Sequence, residues 1–265
     1  MKLYGSSTLL WGKSFEEICK EFSSLGLNGM ELWAEQVWHQ HFSLDEIKKF
    51  TDLYELELTL HAASWDLNLC SLNSGVRQQS ITEIGRSIQL ASAIQAGNMT
   101  VHPGRLTLSR DWSDWHMQCL KESLDLIEDL GAGHEVTISL ELMENVKKEF
   151  ITMPDKMNEL TRNRSDTIQT TFDVAHTPIS INPLTYFKKL ERINKVHLSD
   201  SRNDRFHVPL GEGQIHLSHM INELTDFEHP IVLEGYDPYG QNTTLKKHLT
   251  YLKQNLMGAE KGRVG

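Results

Sequence analysis

Residues Lys195 to Gly213, KVHLSDSRNDRFHVPLGEG, form the stretch from which the fold and the candidate site of this chain can be worked out. The stretch begins as a short buried-strand pattern that carries His197, and Asp200 follows where this strand is expected to end. Asp204 and His207 come next, ahead of a tight Gly-Glu-Gly turn. These side chains are all able to bind metal ions. A polar loop that contains histidines explains the stretch equally well when it is taken alone, so the rest of the chain has to decide.

Short apolar segments alternate with longer amphipathic segments from one end of the chain to the other. This alternation predicts repeated βα units around a parallel sheet. Eight units can be counted, and eight units in one domain favour an α/β fold of the (β/α)8 TIM barrel type. We expect the barrel to occupy residues 1–258 and residues 259–265 to form a flexible C-terminal tail.

The predicted elements can be placed on the sequence. Ser14 and Glu17 have the spacing of a capping box, and Pro154 and Pro183 suit a first helical turn. The predicted strands are Leu3–Ser7, Gly29–Trp33, Leu56–His61, Asn98–His102, Val136–Glu141, Gln169–Asp173, Lys195–Leu198 and Ile231–Glu234. The predicted helices are Ser14–Leu25, Leu44–Leu53, Gly75–Ile94, Trp115–Leu130, Pro154–Thr161, Pro183–Leu190, Leu217–Leu224 and Leu245–Leu256.

Composition narrows the function classes. The net charge of −10 gives no general attraction to nucleic acid or to an anionic membrane, so a nucleic-acid partner is disfavoured, although a local basic groove stays compatible with it. Cys19, Cys70 and Cys119 are isolated, which predicts neither a disulfide framework nor a thiolate zinc site and favours the cytoplasm. The sequence has no apolar run of membrane-spanning length and no leader pattern at its beginning, so neither secretion nor membrane insertion is expected.

The residue types at the strand ends predict a metal site. In a TIM barrel the reacting groups lie at the carboxyl ends of the strands. Acids and histidines are poor strand formers and are costly to bury alone, so a cation is the expected partner. Carboxylates with imidazoles suit zinc, manganese, cobalt or iron(II). The strand-end residues are Glu31, His61, His102, Glu141, Asp173, His197 and Glu234, with His176 just beyond the sixth strand.

Several of these residues have an ordinary structural explanation when each is taken alone. His61 and His102 could be hydrogen-bonded structural histidines, and Glu31 could pair with a neighbouring basic residue. Glu144 competes with Glu141, because SLELMEN offers two acids; the alternation of the strand favours Glu141. The repetition from strand to strand is what makes a metal site the better explanation.

These motifs resemble those of the xylose-isomerase-like TIM barrel superfamily, which includes sugar phosphate isomerases and epimerases, inosose dehydratase and endonuclease IV. The resemblance covers nearly the whole chain. It is carried by NGMELW, LHAASWDLNL, VHPG, SLELMEN, TFDVAH, VHLSDS with HVPLGEG, and VLEGY, on the second to the eighth strands. The FDxxH, HLSDS and HxPLGEG pieces are fairly specific for the superfamily and much less specific for one activity.

The resemblance to the sugar isomerases and epimerases implies one divalent metal, which would be manganese, cobalt, magnesium or zinc. Glu141 and Glu234 would then act as a pair that moves a proton next to a carbonyl through an enediolate. His176 would orient substrate or ligand, and Arg202 or Arg205 would contact substrate hydroxyls or a phosphate. The metal ligands that the resemblance implies are Glu141, Asp173, His197 and Glu234.

Two alternatives stay open at the level of sequence. A metal-dependent dehydratase of a polyol ketone shares the first proton abstraction, and Lys147 stands where some ketose epimerases carry a second glutamate. Endonuclease IV-like DNA repair with three zinc ions is the rival from another class, although AEQVWHQHFS lacks the basic residues of a DNA-binding loop. Its ligands would be His61, His102, Glu141, Asp173, His176, His197, Asp204, His207 and Glu234.

Aromatic residues near the predicted strand ends add a weaker indication. Trp11, Trp33, Trp38 and Trp65 could stack on the apolar face of a sugar ring or insert into DNA. Packing at the rim of the barrel explains them equally well. We expect Trp33 to contact a small-molecule sugar or sugar derivative, and the sequence leaves a homo-oligomer open.

Overall fold

The computed structural model describes residues 1–108 and 112–262, with residues 257–262 described by their backbone only. Two groups of strands are present. The barrel strands are β1 (Lys2–Ser6), β2 (Gly29–Trp33), β3 (Glu57–His61), β4 (Asn98–Val101), β5 (Thr137–Glu141), β6 (Ile168–Asp173), β7 (Ile193–Leu198) and β10 (Pro230–Leu233). The other two, β8 (Asp200–Arg202) and β9 (Arg205–Val208), form an antiparallel hairpin.

The eight barrel strands are all parallel and close in the order β1-β10-β7-β6-β5-β4-β3-β2. Helices follow the strands around the barrel, so the predicted (β/α)8 TIM barrel is confirmed. The helices are α1 (Phe15–Ser24), α2 (Ala34–Gln40), α3 (Leu44–Leu53), α4 (Ser74–Ala93), α5 (Ser113–Gly133), α6 (Pro154–Thr161), α7 (Pro183–Lys189), α8 (Leu217–Leu224) and α9 (Thr243–Gly262).

Local sequence signals explain where several helices begin. The Ser14 side chain accepts a hydrogen bond from the backbone N–H of Glu17, and the Glu17 carboxylate accepts one from the backbone N–H of Ser14, which completes the predicted capping box. Pro154 and Pro183 stand in the first turns of α6 and α7, where the missing N–H costs nothing. No helix within residues 1–108 and 112–262 is long and apolar enough to cross a membrane.

Three features were not predicted from the sequence, the first being the short 3-10 helix Ser7–Leu10 after β1. The helix α2 follows β2 directly, and the hairpin β8–β9 follows β7, on the side of the barrel where the strands end. The helix α9 runs to Gly262 and so includes residues 259–262 of the predicted tail, whereas residues 263–265 lie outside the described residues. The boundary of the tail stays a prediction.

Candidate metal centre and active site

Four residues from the strand ends meet at the centre of the barrel mouth. Glu141 and Asp173 end β5 and β6, His197 lies on β7, and Glu234 follows β10 directly. All four are buried, and one donor atom from each lies within 4.8 Å of the others. His197 presents Nδ1 to this group, at 3.2 Å from Oε1 of Glu141 and 3.3 Å from Oε2 of Glu234. We call these four residues the central cluster.

The charges in the central cluster do not balance among its own residues. Burial opposes ionisation of Glu141 and Glu234, yet His197 lowers the pKa of both carboxyls. Burial, together with the nearby carboxylate of Glu234, raises the pKa of Asp173 well above its usual range. Oδ2 of Asp173 and Oε2 of Glu234 are buried and accept no hydrogen bond from the described residues. A divalent cation would supply the missing positive charge, and three carboxylates with one imidazole suit it.

A first flanking group consists of His61, His102 and Glu141. Nε2 of His102 lies 2.9 Å from Oε2 of Glu141, and Nε2 of His61 lies 3.6 Å from the same oxygen. Nδ1 of His61 lies 2.9 Å from the backbone oxygen of Ala62. If Nδ1 donates its proton there, Nε2 is left free to accept a proton or a metal.

A second flanking group consists of Asp173, His176 and His207. Nε2 of His176 lies 3.3 Å from Oδ2 of Asp173, while its Nδ1 lies 2.9 Å from the backbone oxygen of Leu142. His207 contributes Nδ1, at 3.9 Å from the same Asp173 oxygen. Each flanking group shares one carboxylate with the central cluster, so the three groups form one continuous polar centre.

A buried ion pair lies behind His197. Oε1 of Glu31 is 2.7 Å from Nε2 of His197, and Oε2 of Glu31 is bonded to the ammonium group of Lys195. Lys195 is fully buried and also donates to Thr100 at 2.9 Å. Burial opposes the charge on Glu31, but Lys195 and His197 hold the pKa of its carboxyl at about 2. Glu31 is therefore an ionised partner of His197, at Nε2 of the ring, whereas Nδ1 faces Glu141 and Glu234.

The central cluster opens into a cavity of about 510 Å³. Its polar part is formed by Glu141, Glu144, Glu234, His102, His176 and His207, and the remainder by Thr8, Trp11, Trp33, Trp65, Met143, Gly235 and Tyr236. Neither lysine nor arginine is among the described residues that line it. A second cavity of about 520 Å³, lined by residues of α5 and α6 and of the loops before them, contains none of the strand-end residues.

Other residues singled out in the sequence lie elsewhere or have another contact. Arg202, Asp204 and Arg205 are exposed on the β8–β9 hairpin, outside the lining of the cavity and outside the metal-capable groups of the described residues. Trp33 lines the cavity and stacks on His61, with 3.9 Å between ring centroids.

Asp200, which the sequence suggested as metal-capable, instead holds the loop of the HVPLGEG motif. Its buried carboxylate accepts hydrogen bonds from the backbone N–H groups of Ser201, Gly211, Gly213 and Ile215 at 2.8–3.1 Å. A Cβ atom at Gly213 would collide with this carboxylate, which explains the glycine there. No sequence signal reveals this role, because the donors belong to the backbone.

Asp200→Asn is expected to lower the free energy of unfolding by about 2 kcal/mol, because an amide loses the charge and turns an NH2 group toward backbone donors. Urea denaturation measures this change. Asp204→Asn, on the exposed turn of the same hairpin, is the control and should change stability by less than about 0.5 kcal/mol. Equal stability of the two variants would contradict the anchoring role of Asp200.

The fold and the site define a class: a TIM barrel with a carboxylate and imidazole centre at the carboxyl ends of its strands. The model of the family described as xylose isomerase-like TIM barrel matches residues 19–255. The chain belongs to this family, and the family resemblance predicted from the motifs is confirmed.

Similar proteins agree with this placement. The uncharacterized protein MJ1188 of Methanocaldococcus jannaschii is 26% identical over 230 residues, which span 86% of this chain and 85% of the relative. The crystal structure of a D-tagatose 3-epimerase-like protein has a TM-score of 0.85 at 24% identity, with 100% of both chains covered. The structure of an L-ribulose 3-epimerase has a TM-score of 0.79 at 14% identity and covers 98% of this chain and 96% of its own. At these identities the structural likeness shows the fold.

Proposed function

We propose that the protein is a divalent-metal-dependent isomerase or epimerase of an uncharged sugar or sugar derivative. The observation that carries this proposal is the central cluster, in which two buried glutamates and two further metal-capable residues meet at the mouth of a closed barrel. The epimerase names of the two solved structures with this fold support it. An uncharged substrate is favoured because the described lining residues include no lysine or arginine. Arg202 and Arg205 therefore have no part in this proposal.

Glu141 and Glu234 are the residues that would carry out the proton transfer. β5 and β10 are separated in the barrel by β6 and β7, so Glu141 and Glu234 reach the cavity from different sides. Both carboxyls have a lowered pKa, so both are ionised and either can accept a proton from the carbon next to a carbonyl. The other glutamate has to be protonated before it can return a proton, so one proton has to be held between the two carboxyls during the reaction. Asp173 and His197 would complete the ligand set. When bound, a divalent cation would polarise the carbonyl and ease removal of the neighbouring proton.

Protein purified without chelator is expected to contain about one manganese, cobalt, magnesium or zinc ion per chain, held by the central cluster. The flanking groups share Glu141 and Asp173 with that cluster, which leaves their histidines to contact substrate. Elemental analysis measures the metal content, and Asp173→Asn is the matched variant expected to lose it. Full metal content in Asp173→Asn would contradict the ligand set.

Exchange of substrate protons with solvent tests the reaction itself. Metal-loaded protein is incubated in deuterium oxide with ketoses, aldoses and polyol ketones, and incorporation next to the carbonyl is followed by NMR. We expect exchange with at least one class, abolished by chelator and restored by metal. Exchange accompanied by loss of water would assign the protein to the dehydratases. If no solvent exchange is seen with any of the three classes, the proposed function is rejected.

A three-metal phosphodiesterase is the second candidate, and the two flanking groups are the observation that favours it. About three zinc ions per chain and nicking of DNA at an abasic site would support it. The absence of basic residues from the described cavity lining argues against it, because phosphate contacts supply most of the affinity for DNA.

We also propose that the protein works in a reducing compartment such as the cytoplasm. Cys19, Cys70 and Cys119 are free and buried, which supports this location. Burial raises the pKa of Cys19 to about 12, so its thiol stays protonated and unreactive.

A further inference from the structure

Three aromatic residues form a continuous surface at the mouth of the cavity, and we call them the aromatic wall: Trp11, Trp65 and Tyr236. The ring centroid of Trp11 lies 5.5 Å from that of Trp65 and 5.8 Å from that of Tyr236. Stacked rings need at least about 3.5 Å between their atoms, so no ligand ring fits between these side chains. A ligand can only lie on the wall.

Two of the three residues of the aromatic wall are exposed although their rings are largely apolar, and Trp11 is half-buried. Trp65 is 55% exposed and Tyr236 is 54% exposed, on the side from which the central cluster is reached. Leaving large rings in water forgoes the free energy that their burial would release. A ligand that covers the rings would recover it.

The helix α2 fixes two members of the wall in place. The backbone oxygen of Trp11 accepts hydrogen bonds from the side-chain amides of Gln36 and Gln40. The carboxylate of Glu35 accepts hydrogen bonds from the backbone N–H of Trp65, at 3.1 Å, and from that of the preceding residue. Polar side chains of one short helix therefore hold the backbone at two tryptophans, of which Trp11 is half-buried and Trp65 is exposed.

The third member is fixed from the other side of the mouth. The hydroxyl of Thr8 donates to the backbone oxygen of Gly235 at 2.6 Å. The backbone oxygen of Thr8 accepts from the N–H of Asp237 at 3.0 Å. Tyr236 lies between these two anchor points, so the backbone that carries the wall is held in place before a ligand arrives. Such preorganisation reduces the entropy lost on binding.

The cavity is larger than one sugar unit requires. A hexose has about 12 non-hydrogen atoms, and even at the ~30 Å³ that a whole water molecule occupies it would fill roughly 360 Å³. The cavity measures about 510 Å³, and its lining includes both glutamates of the central cluster and the three residues of the aromatic wall.

We propose that the substrate is a two-ring sugar derivative. Its reacting sugar unit, which keeps a carbonyl, lies at the central cluster, and a second sugar ring or an aryl group lies on the aromatic wall. The C–H face of a sugar ring and the face of an aryl ring both pack on indole and phenol rings. This inference rests on the proposed function for the identity of the reacting end, whereas the wall itself can be tested by binding alone.

The test compares matched ligands that differ only in the second ring. Calorimetric titration of the metal-loaded protein measures binding of methyl and phenyl β-D-glucopyranosides, and of the same pair in the galactose and xylose series. In at least one series the phenyl glycoside should bind about tenfold more tightly. In Trp65→Ala and Tyr236→Ala this ratio should fall to about one. Tyr239→Ala removes a tyrosine that is 80% exposed outside the cavity lining, and should keep the wild-type ratio.

Each outcome decides the inference. Absence of a phenyl preference in every series overturns it, as does an equal loss for both ligands in Trp65→Ala. Phenyl preference without solvent exchange for any ketose, aldose or polyol ketone would keep the aromatic wall as a binding surface and reject the proposed function. Solvent exchange without phenyl preference would keep the proposed function and reject the aromatic wall as a binding surface. Tighter binding of abasic DNA than of any glycoside, lost in Trp65→Ala, would also overturn it.

Discussion

Glu141→Gln and Glu234→Gln are each expected to lower the rate of proton exchange by roughly 10³-fold. Glutamine has almost the shape of glutamate and keeps an oxygen, but it cannot accept a proton. Both glutamates are buried in the central cluster, so each variant removes a carboxylate at the centre of the site. The rate of deuterium incorporation measures the effect, and circular dichroism checks that the fold is intact.

The matched control is Glu144→Gln, which changes the other acid of SLELMEN. Glu144 lines the cavity at 3.6 Å from His176 but is outside the three metal-capable groups. Its loss should lower the exchange rate by less than about tenfold. Metal content has to be measured in each variant, because a glutamine ligand could also weaken the metal. Wild-type exchange in a metal-loaded Glu141→Gln or Glu234→Gln variant would rule out the two-glutamate mechanism.

The barrel and the composition of its centre could be predicted because both depend on short-range patterns. Apolar strands alternate with amphipathic helices, and an acid or a histidine stands at strand end after strand end. Parallel strands bring these ends to one face of the barrel, which is how Glu141, Asp173, His197 and Glu234 come together. Strand boundaries moved by one or two residues, which leaves the order of the strand ends unchanged.

The helix α2 was missed for a physical reason. It is seven residues long and has no side-chain cap, so neither length nor a start signal marks it in AEQVWHQ. Its stability comes from contacts that only the folded chain contains, including those of Glu35 with the loop of Trp65. The same reasoning applies to Asp200, whose partners are backbone groups of the loop 11–15 residues further along the chain.

The interior position of Lys195 can also be predicted from the sequence, through the alternation of strand residues between faces. Strand residues alternate between faces, so Lys195 and His197, two positions apart, point to the same side. Since His197 was expected to face the barrel interior, Lys195 had to be buried with it and to need an acid. Glu31 on β2 is that acid. This contact agrees with the alternative given for Glu31 in the sequence analysis, namely that it pairs with a basic residue.

Lys195→Met is expected to lower the free energy of unfolding by about 3–5 kcal/mol, because it leaves the carboxylate of Glu31 buried without its counter-charge. Urea denaturation of the metal-free protein measures the change. The control is Lys156→Met, which breaks an exposed pair with Glu159 at 3.0 Å and should cost less than about 1 kcal/mol. Similar losses in both variants would mean that the interior pair is as well solvated as the surface pair.

The double variant Glu31→Gln with Lys195→Met separates stability from metal binding. Removing both charges should recover most of the lost stability, because no unpaired charge stays buried. Metal affinity should remain about 10- to 100-fold below that of the wild type, since Nε2 of His197 has lost the carboxylate 2.7 Å away that orients the ring and raises its basicity. Competition with a metal-sensitive dye measures the affinity. Wild-type metal affinity in the double variant would mean that the ion pair contributes only to stability and that Glu31 has no effect on metal binding.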